Sequence, residues 1–349
     1  MKKKDVLSLI RCFAENNREG FKNEAYSIAK DFDAAGDYQL AEYIMSLLSD
    51  GNTFVPQNEE IDLTFFEKVE TKGDLLLLPD CILQDLLGVI NAVERKIGLN
   101  KFLFKGSPGT GKTEAAKQLA RILNREIYMV NFSVIIDSKL GQTQKNIAKL
   151  FQEANSFVHP ENIVLLFDEI DAIALDRTNS NDLREMGRAT SEMLKGFDRL
   201  NEDILLIATT NLYDYFDKAL IRRFDSVIDF NRYSQEDLIK ISESIMDMYL
   251  EKLNLKNRDV RLFRKIIKLY DAIPYPSDLK NTIKTSIAFS DPDDCTDYFR
   301  RLYYSICREK PEDIKKLKEQ NFTVREIEIL TKKSKSSVAR ELKKVSISE

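Results

Sequence analysis

The sequence predicts a doubly wound α/β fold with helical additions at both ends, and three observations carry that expectation. Short apolar runs recur at residues 101–105, 126–131, 163–167, 204–209 and 226–230, separated by amphipathic stretches. Continuous runs of this length suit parallel strands covered by helices on both faces. A glycine-rich loop follows the first run and leads directly into a helical pattern. Beyond residue 233 the periodicity is helical, which confines the sheet to the middle of the chain.

At 349 residues the chain exceeds the usual domain of roughly 100–200, so one large core with smaller satellites is expected. Hydrophobic residues at 43% and charged residues at 32% describe a folded globular chain. The net charge of −4 offers no overall basic field, so any nucleic-acid binding has to be local. Cys12, Cys81, Cys295 and Cys307 lack metal or disulfide spacing and read as reduced thiols of a cytoplasmic protein. The basic start and apolar residues 6–10 resemble a signal peptide only as far as Arg11, so export is not expected. No stretch approaches the roughly 18 apolar residues of a membrane helix, and no membrane partner is expected.

Taken in order, residues 1–55 are expected to form a helical N-terminal domain. Leu7, Ile10, Phe13, Phe21, Ala25, Ile28, Phe32, Leu40, Ala41, Ile44 and Leu48 keep helical spacing, with breaks near Gly20 and Gly36. Residues 56–74, polar and containing Pro56 and Glu59-Glu60, are expected to be a linker. Residues 75–232 carry the α/β pattern, and 233–295 a helical lid opened by Ser234 as N-cap before Leu238, Ile239, Ile241 and Ile245. Residues 296–349 form a charged helical tail.

Chemistry concentrates in the α/β part. Gly106, Ser107, Pro108, Gly109, Thr110, Gly111, Lys112 and Thr113 spell the phosphate-binding loop between a strand and a helix. Glycines let backbone N–H groups wrap phosphates, and the helix N-terminus adds a favourable dipole. Lys112 is expected to reach the β- and γ-phosphates of ATP, and the Thr113 hydroxyl to ligate Mg²⁺. A glycine-rich turn without a ligand would use the same residues, but the strand-before, helix-after context favours nucleotide. The apolar run Val164-Leu165-Leu166-Phe167 ends in Asp168 and Glu169. Asp168 is expected to hold Mg²⁺ and Glu169 to polarise the attacking water.

Asp168-Glu169-Ile170-Asp171-Ala172-Ile173 and the phosphate loop resemble those of AAA ATPases, the ring-forming branch of the AAA+ superfamily. The resemblance covers residues 76–290 and implies an ATP-hydrolysing homo-oligomer, a hexameric ring, that remodels a macromolecular partner. Ala208-Thr209-Thr210-Asn211 is similar to the family's sensor-1 segment, which implies that Asn211 positions the hydrolytic water. Asp217-Lys218-Ala219-Leu220-Ile221-Arg222-Arg223-Phe224-Asp225 resembles the segment that supplies arginine fingers to the neighbouring subunit. A salt bridge to Asp217 or Asp225 is the local alternative, and Arg222 and Arg223 are not ranked by sequence.

Pro276-Ser277-Asp278-Leu279 is similar to the family's Gly-Ala-Asp-Leu lid signature, which implies no basic sensor-2 residue, although Lys280 lies beside it. Residues 137–146 resemble the pore-loop region, with Lys139 where threading unfoldases carry an aromatic. The chain is also similar to small bacterial AAA ATPases paired with subtilisin-like proteases, which implies such a protease as partner through the N-terminal helices.

In the tail, residues 322–330, 331–335 and 336–342 read as helix, turn, helix and resemble a DNA-binding helix-turn-helix, with Lys335, Ser336 and Ser337 opening the second helix. Lys332, Lys333, Lys335, Arg340, Lys343 and Lys344 face only Glu341 over residues 331–344. A solvated hairpin packed on the lid satisfies the same pattern. The rival to a protein remodeller is therefore an ATP-controlled DNA-binding regulator or loader using residues 320–349. His159, the only histidine, precedes Pro160 in a loop and receives no role.

Overall fold

The computed structural model describes residues 11, 18–34, 38, 41, 44–45, 48, 63–71, 77–135, 142–173, 182–255 and 257–345. Lys139, most of the expected N-terminal domain and the first part of the expected linker lie outside the described residues. The chain divides into two compact units, residues 1–63 and 64–349. In the first, helix α1 (Arg18–Ala34) buries Ala25, Ile28 and Ala29 as one stripe. It runs through Gly20, near which the sequence predicted a break. One glycine costs a helix about 1 kcal/mol, too little to end a helix with a buried face.

The second unit opens with β1 (Phe66–Val69), α2 (Asp80–Glu94), β2 (Lys101–Lys105), α3 (Lys112–Ile122) and β3 (Glu126–Val130). It continues through α4 (Phe132–Ile135), α5 (Gln142–Ala154), β4 (Ile163–Phe167), α6 (Asp182–Arg199), β5 (Leu205–Thr210), α7 (Lys218–Ile221) and β6 (Ser226–Asp229). The strands form one sheet in the order β1-β3-β4-β5-β2-β6, parallel except for β1. Every residue of β4 and β5 is buried, which is why these runs show no alternation. Lys105 pairs with Thr210 and Phe167 with Ala208, so the loops leaving β2, β4 and β5 emerge along one edge.

Strand β1 lies inside the stretch expected to be a linker. Phe65 and Phe66 are buried, Phe66 edge-on to Phe157, while Glu67 and Lys68 face solvent. Two aromatic rings outweigh the polarity of the surrounding sequence and add an antiparallel edge to the sheet.

Among the described residues seven helices complete the unit: α8 (Gln235–Lys252), α9 (Val260–Ile267), α10 (Pro276–Ala288), α11 (Asp297–Cys307), α12 (Ile314–Glu319), α13 (Val324–Thr331) and α14 (Lys335–Val345). Ser234 caps α8 in a reciprocal capping box with Asp237. One apolar core runs from Leu238 of α8 to Val338 of α14. The boundary expected at 295/296 therefore divides no cores. Across it, Arg300 bonds Asp294, Asp297 and the Ile329 carbonyl, tying the tail to the turn before it.

Candidate nucleotide site

The loop after β2 has a shape that only glycine permits at two points. Gly111, with φ of 91°, sits immediately before α3, and Gly109 has φ of 79°. A Cβ on Gly109 would also lie 3.0 Å from the Ser277 Cβ, so the lid closes directly over the loop. Three bonds brace it: Ser107 N–H donates to Asn231 Oδ1 (2.8 Å), Ser277 N–H to the Gly109 carbonyl (3.2 Å) and Tyr233 Oη to the Thr110 carbonyl (2.7 Å).

Lys112, the first residue of α3, is buried beneath this loop. Its Nζ donates to the carbonyls of Gly106 (2.7 Å) and Ser107 (2.9 Å) and to Asn211 Oδ1 (2.8 Å). Burial pushes its pKa below 10.5, opposed by the charges of Asp168, Asp171 and Glu169. At the next residue, Thr113 Oγ1 donates to Asp168 Oδ1 at 2.8 Å, and Thr209 Oγ1 donates to the same oxygen at 2.7 Å. Thr209 Oγ1 also accepts the N–H of Glu169 at 2.8 Å. Asn211 Nδ2 donates to Glu169 Oε1 at 3.2 Å, so one amide touches both Lys112 and Glu169. Glu169 holds φ of 51°, a backbone conformation costly for a side chain with a Cβ and seen where a site requires it.

These groups line a cavity of about 410 Å³. Its opposite wall is apolar, with Ile241, Ile245 and Met248 of α8 and Pro276 at the start of α10; Lys280 lines it as well. Polar donors at a helix N-terminus facing an apolar wall match a ligand with phosphates at one end and a flat base at the other. The Thr113 hydroxyl and the Asp168 carboxylate form a hard-oxygen pair suited to Mg²⁺, which keeps much of its own water.

Arg222 and Arg223 are not in this cavity. Arg223 grips Asp198 of α6 with two bonds, Nε–Oδ1 at 2.8 Å and Nη2–Oδ2 at 3.2 Å. The acids weighed as local partners serve the backbone instead: Asp217 accepts from Ala219 N–H, and Asp225 Oδ2 from the N–H groups of Asn100 and Lys101. Arg222, at the C-cap of α7, is exposed and makes no ion pair among the described residues.

Residues 102–232 match the family model described as ATPase family associated with various cellular activities (AAA). The chain contains an AAA domain. A Sinorhizobium fredii protein named as an uncharacterized AAA family ATPase, y4kL, is 35% identical over 178 residues, covering 48% of this chain and 53% of that protein. The proteasome-activating nucleotidase of Methanococcus maripaludis is 32% identical over 170 residues, 47% of this chain and 40% of the relative. The peroxisomal ATPase PEX6 of Saccharomyces cerevisiae is 31% identical over 163 residues, 45% of this chain and 15% of the relative. The match thus spans about half of the first relative and less of the other two. A chain from the Escherichia coli MS115-1 HORMA:CdnC:Trip13 complex superposes with TM-score 0.52 at 17% identity over 69% of this chain and 95% of that one, a likeness of fold.

Sequence reading passed over several residues that build the site of this AAA domain. Thr209 reads as the end of an apolar strand, yet its hydroxyl joins Asp168 to Glu169. Its position two residues before Asn211 was the available signal. Asn231 and Tyr233 reach the loop from more than a hundred residues away, and no local pattern marks them. Asp171 is buried, and its Oδ1 has no hydrogen-bond partner among the described residues.

Proposed function

We propose that this chain binds ATP with Mg²⁺ and hydrolyses it as one subunit of a homo-oligomeric ring, a hexamer, using the cycle to remodel a protein partner. The observation that carries the reading is the bonded set Lys112, Asn211, Glu169, Thr209, Asp168 and Thr113, strung along one edge of the sheet. Lys112 would exchange its carbonyl partners for phosphate oxygens. The carboxylate of Glu169, steadied by Asn211, would take the proton of the attacking water. Mg²⁺ held by Thr113 and Asp168 would neutralise charge on the phosphates. Of the loop residues before Lys112, Pro108, Gly109 and Gly111 line the cavity; the backbone N–H groups of the two glycines would cradle the phosphates, and Lys280 would add a further cation from the lid.

Arg222 is the better candidate for the finger, since Arg223 is already paired and Arg222 faces solvent. Remodelling of proteins is supported by the names of the proteasome-activating and peroxisomal relatives. The N-terminal helices would recruit the partner, with a subtilisin-like protease as the candidate, in the cytoplasm. Among the described residues no helix is long and apolar enough to cross a membrane.

Subunit mixing tests the shared site. Arg222→Ala should bind ATP normally and hydrolyse it at least about 10³-fold more slowly, because the neighbouring site loses its cation. Lys112→Ala should lose binding. Mixed together, the two inactive proteins should regain part of the wild-type rate, since some interfaces then join an intact loop to an intact arginine. If mixed assemblies form and the rate stays at the parental floor, the trans arginine and the ring mechanism fall together.

A further inference from the structure

The last three helices take no part in that reading. α12, α13 and α14 pack on one another around Leu317, Ile327, Leu330 and Val338, all buried. α13 begins in a reciprocal capping box between Thr323 and Glu326 and ends at Lys332, which takes the left-handed conformation with φ of 58°. Residues 332–334 then turn the chain into α14, which starts at Lys335. Two helices joined by so short a turn and braced by a third present the second helix as a ridge that can enter a major groove.

The surface of that ridge decides what can occupy it. Val338 and Leu342 of α14 face the core, whereas Lys335, Ser336, Arg340 and Lys343 are exposed. Ser336, Arg340 and Lys343 follow each other at helical spacing and so share one stripe. The acidic residues of α13 and α14 are engaged inward or sideways. Glu326 is buried against Lys265 at 2.7 Å, Glu328 accepts the N–H of Lys335 at 3.0 Å, and Glu341 pairs with Lys333 at 3.1 Å. The outward stripe is left basic on a chain whose net charge is −4.

A protein groove that receives a helix needs apolar anchors along one face, and this face carries no large apolar side chain. Arginine, lysine and serine are instead donors for phosphate oxygens and for base-edge acceptors. A helix about 10–12 Å across with its side chains also fits a groove about 12 Å wide. We propose that the face of α14 formed by Ser336, Arg340 and Lys343, with Lys335 at the start of the helix, binds duplex DNA. The unit is held to the lid by Lys265 Nζ on the Asn321 carbonyl (2.8 Å), Arg300 Nη1 on the Ile329 carbonyl (2.8 Å) and Lys332 on Asp294 (3.1 Å), so bound DNA would move with the lid. The inference does not depend on ATP chemistry.

Fluorescence anisotropy of a labelled duplex about three helical turns long, titrated with the full chain, tests it. Wild type should bind, and binding through three cationic contacts should weaken about 40-fold between roughly 50 and 200 mM salt, at a slope of about −0.9 per phosphate. The triple variant K335E/R340E/K343E should bind at least about tenfold more weakly with its far-ultraviolet circular dichroism unchanged. K335Q/R340Q/K343Q makes the same comparison if charge reversal perturbs folding. No binding by wild type up to about 100 μM at the lower salt, or variants that bind like wild type, would overturn the proposal. So would preference for a single strand of the same sequence, or loss of a co-purifying protein from the variants where no duplex binds.

Discussion

The nucleotide cavity and the segment around α7 hold their polar side chains in opposite ways. In the cavity Lys112, Thr113, Asp168, Glu169, Thr209 and Asn211 bond to one another across three separate chain segments. Around α7, Asp217 and Asp225 serve backbone N–H groups, Arg223 is locked to Asp198, and Arg222, like Lys218, stands in solvent. A group held by several bonds of its own chain has its geometry set before any ligand arrives. A charged group left exposed keeps its bonding capacity for another molecule. On the proposed reading, the contrast would separate residues that act within this chain from one that acts for a neighbour.

The sharpest way to break that contrast is to compare the two arginines. Arg222→Ala should slow hydrolysis at least about 10³-fold, whereas Arg223→Ala loses a surface ion pair worth roughly 0.2–1 kcal/mol and should slow it less than tenfold. Equal losses in the two variants would mean that exposure does not distinguish them. Within the cavity, Glu169→Gln should keep ATP binding and lower turnover by about 10²-fold or more, since an amide cannot accept the water's proton. A steady-state rate above about a tenth of wild type at saturating ATP would remove Glu169 from that role.

Thr209→Val sharpens the comparison further, because it keeps the shape of the side chain and deletes only the hydroxyl between Asp168 and Glu169. Turnover should fall about 10–100-fold, as for other residues that orient a reacting group, with ATP affinity within a few-fold of wild type. A wild-type rate would show that the bonded network sets nothing. The smallest effect is the pH dependence of binding. Burial lowers the Lys112 pKa from 10.5 in the ligand-free protein, and phosphate binds the charged form. Affinity should thus be complete below the lowered pKa and fall as pH rises through it, by at most about tenfold per unit. Calorimetry at neutral and alkaline pH reads this, and a flat profile would place Lys112 away from the phosphates.

Much of the fold was legible because its signals are local. The five parallel strands appear as apolar runs, the phosphate loop as glycines between strand and helix, and the lid's first helix as Ser234 before an apolar stripe. β1 was hidden because a four-residue edge strand among polar neighbours resembles a linker until its aromatic side chains find a partner surface. The unity of lid and tail was hidden for a related reason: the proline and acidic residues at 292–294 look like a boundary, yet Arg300 turns Asp294, together with Asp297, into a brace.

By itself the sequence marked the residues proposed to carry the chemistry, because side-chain type and local backbone freedom are properties of a short segment. Only the tertiary structure decided how those residues are used: that Thr209 bridges two carboxyl-bearing residues, that Asp198 claims Arg223 and leaves Arg222 exposed, and that Asn231 and Tyr233 brace the loop. Each of these depends on which strands lie side by side and in what register. Parallel pairing joins residues separated by whole helices, and no spacing along the chain encodes such a contact.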